Sequence, residues 1–536
     1  MFARARAVAD LARRDGCDVD EAAGRLAGGL TRRQALERAG IAVAATTLPV
    51  AFTSTATRRS AQDMRVVIVG GGMAGLGCAL RLHQHGVASS VYEYNADRAG
   101  GRVFTLRGFF DEGQYAEQHG EFISSEHTAT RALAGAYGLH LDNVDRYPPH
   151  THPNAYRLRF GGKFWTQAEL NREWHTWGWQ LFYHAANHAA PWPTLHNSYT
   201  KQGWVWDRMS ADEWIEEYIP GGLDSDFGKL CVAIVLDEFG GPMEETSALN
   251  LVYLLGSYDS AKNSLQPKGS PELSGTDEKW HIRGGNDQLV SETIARLPAG
   301  AVQLGERLEA VRRTSGGYTC TFASAGGGSH DVTADHVVLA LPFTKLRDVE
   351  LHGIDLPAPQ WQAIREEPLG MNSKIQLQCS SRVWYADGWT SNLYTDGIVQ
   401  GGWETTLDQP GAAGILIALP GGYGGFDIGS RYGLKNYYGP APQAMVDDYL
   451  EDFDISFPGV NAAYNGKAYY AWSSGDPHIG GAYSYLKPGQ FTGFNGIQGR
   501  QSGNVHFAGE HTSVNFEGFI EGALRSGYRC AKEIIG

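Results

Sequence analysis

The chain has 536 residues, 42% of them apolar and 19% charged, which is enough to bury a large core and too little charge for a disordered chain. Acids outnumber bases 59 to 45; the first sixty residues hold ten arginines and six acids, so the rest carries 35 bases against 53 acids. So acidic a body argues against nucleic acid as a partner; six cysteines without a CxxC pair exclude a zinc cluster and a thioredoxin-type motif, and 69 glycines without a period exclude collagen.

Residues 1–60 differ from everything after them. Thr31-Arg32-Arg33-Gln34-Ala35-Leu36 precedes an apolar run from Ala39 to Phe52 and the small residues Ser54, Thr55 and Ala56. That order fits a bacterial export signal, and the run is shorter than the ~20 apolar residues that span a bilayer. The segment resembles a twin-arginine signal, so export is expected. The competing reading is an amphipathic helix that stays attached in a cytoplasmic protein. No integral membrane association is expected.

Val66-Val67-Ile68-Val69 reads as a buried parallel strand. Gly70-Gly71-Gly72-Met73-Ala74-Gly75 follows and fits G-x-G-x-x-G; a helical stretch then runs from Leu76 to His85, and a second strand, Ser90-Val91-Tyr92-Glu93, ends on an acid. Gly70 makes the tight turn, Gly72 lets a pyrophosphate touch the backbone, and Gly75 lets helix and strand pack closely. The phosphates sit at the helix N-terminus beside Met73 and Ala74, where free N–H groups favour negative charge. Glu93 is placed to accept hydrogen bonds from ribose hydroxyls. Strand, glycine turn, helix and acid in this order predict dinucleotide binding.

The next motif, Ala99-Gly100-Gly101-Arg102-Val103, resembles the second glycine-rich motif of the flavin amine oxidase superfamily, which includes the monoamine and L-amino-acid oxidases. The resemblance selects FAD and implies that backbone at Gly101 approaches the flavin side of the cofactor, with Arg102 beside the phosphates and ring. Four more segments resemble the family in its order, so the likeness runs over roughly residues 64–536. His281-Ile282-Arg283-Gly284-Gly285-Asn286-Asp287-Gln288-Leu289 is similar to a glycine turn that opens a helix, and in the strand Arg307 to Val311 the family's adenine contact falls at Leu308. Pro368 to Ile375 resembles the strand whose lysine, here Lys374, holds a water against flavin N5. Lys374, Gln376 and Gln378 alternate with Ile375 and Leu377, which predicts a half-buried strand.

Phe507-Ala508-Gly509-Glu510-His511-Thr512 and Gly518-Phe519-Ile520-Glu521-Gly522-Ala523 resemble the closing strand, turn and helix, with Gly509 and Glu510 near the ribityl–phosphate stretch. Gly480-Gly481-Ala482-Tyr483-Ser484 is similar to the monoamine oxidase segment beside the flavin. The family's two facing aromatic rings, which guide the amine, fall on Tyr483 and Phe519. Ala482 stands where monoamine oxidases tether FAD through cysteine, so non-covalent FAD is expected.

The fold expected is α/β: a discontinuous Rossmann-like FAD-binding domain over 64–125, 278–345 and 486–536, plus a mixed α+β substrate-binding domain over 126–277 and 346–485. The first part of that substrate domain is expected to be helical and the second to supply its sheet. Pro420 to Gly425 reads as a surface loop. His184 and His188 lie four apart without the acid of HExxH, and His150 and His152 lie in a proline-rich loop, so no metal is expected.

The resemblance implies two-electron oxidation of a C–N bond to an imine, its hydrolysis to a carbonyl, and reduction of O2 to hydrogen peroxide. The substrate is a small-molecule amine or amino acid, and the assembly is compatible with a homodimer. L-Amino-acid oxidases fix the carboxylate through an arginine in the stretch matching Gln118 to Ser124. Here that stretch has none; it carries Glu121 and Phe122, and an acid facing the pocket would repel a carboxylate. An amine without an α-carboxylate is therefore expected. The alternatives are an L-amino-acid oxidase, a superfamily desaturase or cyclase, and a non-catalytic FAD-binding protein.

Overall fold

The computed structural model describes residues 64–144, 156–189, 193–256 and 277–536. The export-signal-like segment, His150 and His152 lie outside the described residues.

Five parallel strands form the first sheet, in the order Val505–Phe507, His336–Leu339, Val66–Val69, Ser89–Glu93 and Val302–Leu304. Val66–Val69 is central and every one of its side chains is buried, as a β-branched run covered on both faces must be. Two helices that pack on each other, Met73–Gln84 and Ile520–Ile535, follow the glycine turn and the C-terminal turn. This is the expected Rossmann-like arrangement. A four-stranded sheet made of Ser329–Ala334, Gly317–Ser324, Glu306–Thr314 and Glu350–His352 adjoins it.

The largest sheet has eight strands, with Ser373–Cys379 third from one edge, between Tyr464–Trp472 and Gly414–Ala418. Two of its strands, Arg157–Phe160 and Lys163–Trp165, come from the stretch expected to be helical. Helices Asp226–Glu238 and Ala248–Gly256 lie nearby, and Asp226–Glu238 packs on the strands Arg157–Phe160 and Leu393–Thr395.

Two local expectations are corrected. Ser373–Cys379 is buried along its whole length. Its polar face is not solvated, because the chain from Asp111 to Glu121 covers it: Gln376 Nε2 donates to Glu117 O at 3.1 Å and Gln378 Nε2 to Gln114 Oε1 at 2.9 Å. Pro420 to Gly425 is not a free loop either. It packs backbone to backbone on the end of helix Asp226–Glu238, so closely that a Cβ at Gly421 would lie 1.9 Å from Leu236 O, and its exposed residues are Tyr423 and Gly424.

The five described cysteines are buried and unpaired. Among the described residues no group of three or more His, Cys, Asp or Glu could hold a metal, and no helix is long and apolar enough to cross a membrane.

Candidate active site

The glycine turn is held by contacts that leave no room for side chains. Gly70 has φ +103°, and a Cβ at Gly75 would lie 2.0 Å from Gly70 O. Gly72 is the opposite case: a Cβ there would meet nothing within 4 Å, because its Cα faces a cavity. Helix Met73–Gln84 starts at this point with no side-chain cap and no acid in its first turn. Its first N–H groups therefore have no side-chain acceptor, which suits an anion.

The cavity measures about 1570 Å³, larger than the ~300–1,000 Å³ of ordinary small-molecule pockets. Residues quoted from every part of the sequence line it. Gly70, Gly72, Met73, Ala74 and Glu93 come from the first strand–helix–strand unit, Gly101 and Arg102 from the next turn, and Leu308 from the four-stranded sheet. Gly509, Glu510 and Phe519 come from the C-terminal turn, while Glu121, Phe122, Lys374 and Tyr483 line the other part. Gly75 alone of the predicted set lies behind the wall, where it acts through packing.

Glu93 is buried, with Oε2 2.7 Å from Gly71 N and Oε1 2.8 Å from Asn95 N. Burial pushes its carboxyl above the usual range, against those two donors. Each oxygen keeps a lone pair for a ligand hydroxyl. Arg102 Nη1 bridges Ala482 O and Glu510 Oε1, the latter at 2.9 Å. Burial works against the Glu510 charge, but Arg102, Ser484 and Gly518 hold it below the ordinary carboxylate range.

Lys374 and Glu121 meet in the cavity wall at 2.5 Å, both almost wholly buried. Lys374 Nζ also lies 3.0 Å from His119 O and 3.4 Å from Glu117 O, so its three protons are engaged and only the longest bond is easily exchanged for a water. Glu121 Oε1 accepts from Trp403 Nε1 at 2.9 Å and lies 3.7 Å from His281 Nε2, whose other nitrogen faces Asp408 at 3.6 Å. Although burial opposes it, Asp408, Glu121 and Glu117 raise His281 to about 9. A row of alternating charge thus runs Lys374, Glu121, His281, Asp408. The expected repulsion by Glu121 is corrected here: Lys374 compensates its charge. Phe122 stacks on His281, ring centroids 5.1 Å apart.

Tyr483 donates its hydroxyl proton to Asp237 O. Phe519 caps helix Ile520–Ile535 and lies 4.9 Å from the His127 ring. Residues that sequence reasoning passed over complete the wall: Asp237, Glu238, Tyr394, Trp403 and Glu517. Burial pushes Asp237 up to about 7, and burial with Glu278 and Asp237 pushes Glu238 well above the carboxylate range. The only sequence signal for Asp237 and Glu238 was a pair of acids closing the apolar run Leu230 to Leu236.

The model of the family described as flavin containing amine oxidoreductase matches residues 73–535. A Dictyostelium discoideum protein described as a bifunctional amine oxidase is 24% identical over 89% of this chain, which spans about half (47%) of that protein. An L-amino acid dehydrogenase of Synechocystis is 24% identical over 88% of this chain and 94% of its own. In fold, the chain is similar to cyclohexylamine oxidase from Brevibacterium oxydans, with TM-score 0.73 and 20% identity over 88% of this chain and 98% of that one.

Proposed function

The chain belongs to the flavin containing amine oxidoreductase family, with FAD as its cofactor, and on that footing we propose that it oxidises the C–N bond of an amine lacking an α-carboxylate. The imine hydrolyses to a carbonyl and ammonia or an amine, and dioxygen becomes hydrogen peroxide. FAD supplies the two-electron acceptor. The uncapped helix N-terminus, Gly72 and Glu93 would hold its adenosine and phosphates; Gly101, Arg102, Leu308, Gly509 and Glu510 would hold the rest.

The observation that carries this reading is the acidic wall beside Tyr483. Asp237, whose carbonyl accepts the Tyr483 hydroxyl, and Glu238 line the cavity, and Phe122 lies in the segment where, by resemblance, L-amino-acid oxidases keep an arginine. Tyr483 and Phe519 would orient the substrate, and a buried aromatic wall would favour its neutral, reactive form. Lys374 would hold a water by giving up its bond to Glu117 O. The second reading, L-amino-acid oxidation, is favoured by the compensated charge of Glu121.

Oxygen uptake with L-amino acids and their decarboxylated amines tests the choice. We expect kcat/KM at least about tenfold higher for the amine, roughly 1.4 kcal/mol in transition-state binding; a preference for the amino acid overturns the reading. Because Ala482 has no nucleophile, FAD is also expected to leave the polypeptide completely on denaturation. Yellow colour on washed, precipitated protein would contradict that.

A further inference from the structure

Glu517 lines the cavity two residues before Phe519, and the oxidation above gives it no task. Ser484 stands between it and Glu510: the hydroxyl oxygen lies 3.0 Å from Glu517 Oε1 and 2.7 Å from Glu510 Oε2. A serine hydroxyl has a single proton to donate. Glu510 is the ionised acceptor, because Arg102 lies 2.9 Å from its Oε1 and the Gly518 amide donates to its Oε2 at 2.7 Å. The contact to Glu517 then needs a proton on the Glu517 carboxyl. Otherwise two acceptors would face each other at 3.0 Å without a hydrogen.

The surroundings agree. Glu367, 2% exposed, is a third buried acid, and burial with Glu517 and Glu510 nearby pushes its carboxyl well above the usual range. Of the nearby cations, Arg102 is engaged by Glu510, and Arg347 donates to the carbonyls of Ile364 and Glu367. Burial keeps His511 neutral, pushed down to about 4. Burial and the Glu510 charge push Glu517 up to about 8.

We propose that Glu517 is a protonated carboxyl that couples amine binding to proton release: an organic ammonium beside Tyr483 and Phe519 takes the Glu517 carboxylate as counter-ion, and the carboxyl proton leaves to solvent. This rests on the amine reading of the cavity. No electrons move; the O–H bond of Glu517 breaks and an ion pair forms. That pair offsets the cost of burying the cation. With a primary ammonium, the carboxylate can then accept an N–H proton, which regenerates the acid and leaves the neutral amine.

Titration calorimetry of the holoenzyme with tetramethylammonium chloride, near pH 7 in two buffers of different ionisation enthalpy, tests it. This ion has a fixed charge and no N–H proton, so the protons counted come from the protein. Wild type is expected to release about one proton more per ion bound than Glu517→Gln, whose remaining release is what Asp237 and Glu238 beside Tyr483 contribute. Failure to bind, binding without release, or equal release by the variant overturns the proposal. Infrared spectra of the ligand-free holoenzyme give a second check: one protonated-carboxyl band is lost in Glu517→Gln, and its retention contradicts the assignment. Amine turnover is scored separately. Turnover without proton release removes this proposal alone, whereas proton release without turnover removes only the oxidase reading.

Discussion

Gly75→Ala is expected to purify with little or no FAD, and Gly72→Ala to lose FAD by a different route. At Gly75 the new methyl would lie 2.0 Å from Gly70 O and 3.2 Å from Ile68 Cγ2. Neither neighbour is the free end of a flexible side chain, so turn and helix must separate. Overpacking of this kind costs about 1–3 kcal/mol, and here it also moves the helix N-terminus away from where FAD's phosphates would lie. At Gly72 the methyl meets no protein atom within 4 Å but projects into the cavity. Thermal unfolding of FAD-free protein should therefore show a lower Tm for Gly75→Ala and an unchanged Tm for Gly72→Ala. Fluorescence titration should show FAD affinity down roughly ten- to hundredfold in both. A Gly75→Ala protein that carries a full complement of flavin would contradict the turn geometry.

Lys374→Met should destabilise the protein strongly, and Glu121→Gln added to it should restore most of the loss. The single change leaves the Glu121 carboxylate buried without its closest cation, with Trp403, Thr405 and the His281 ring at 3.7 Å as the partners that remain. Breaking a buried ion pair in this way costs about 3–5 kcal/mol, whereas removing both charges is often close to neutral. Activity should not follow stability, because the double variant still lacks the ammonium in the wall. Urea unfolding of the four proteins in the cycle gives the coupling energy, and oxygen uptake gives the rate. A double variant as unstable as Lys374→Met would show that Glu121 is held by something other than Lys374.

The parts of this protein that were legible in the sequence are those whose chemistry is local. Gly70 to Gly75 and Glu93 lie within one strand–helix–strand unit, and each glycine has a backbone reason for its place, so spacing alone predicts a phosphate-binding turn. Lys374, Tyr483 and Phe519 were legible only by resemblance, and they do line one cavity.

What stayed hidden depends on contacts across hundreds of residues. Glu121 reads as a bare acid until the chain brings Lys374 to it from 253 positions away. Gln376 and Gln378 read as a solvated face because the segment that covers them is distant in sequence. Glu517 belongs to no motif in the sequence, and its proton follows only from the single hydroxyl of Ser484 between it and Glu510.

The most direct test of the account is the visible spectrum of the holoenzyme, mixed anaerobically with amines and with the matching L-amino acids. The account predicts that amines bleach the flavin band and that readmitted oxygen restores it, because FAD in this cavity would lie next to the proposed amine site. Bleaching by L-amino acids alone would keep the cofactor and contradict the reading of the acidic wall. A flavin that no amine or amino acid reduces would contradict the proposed chemistry altogether.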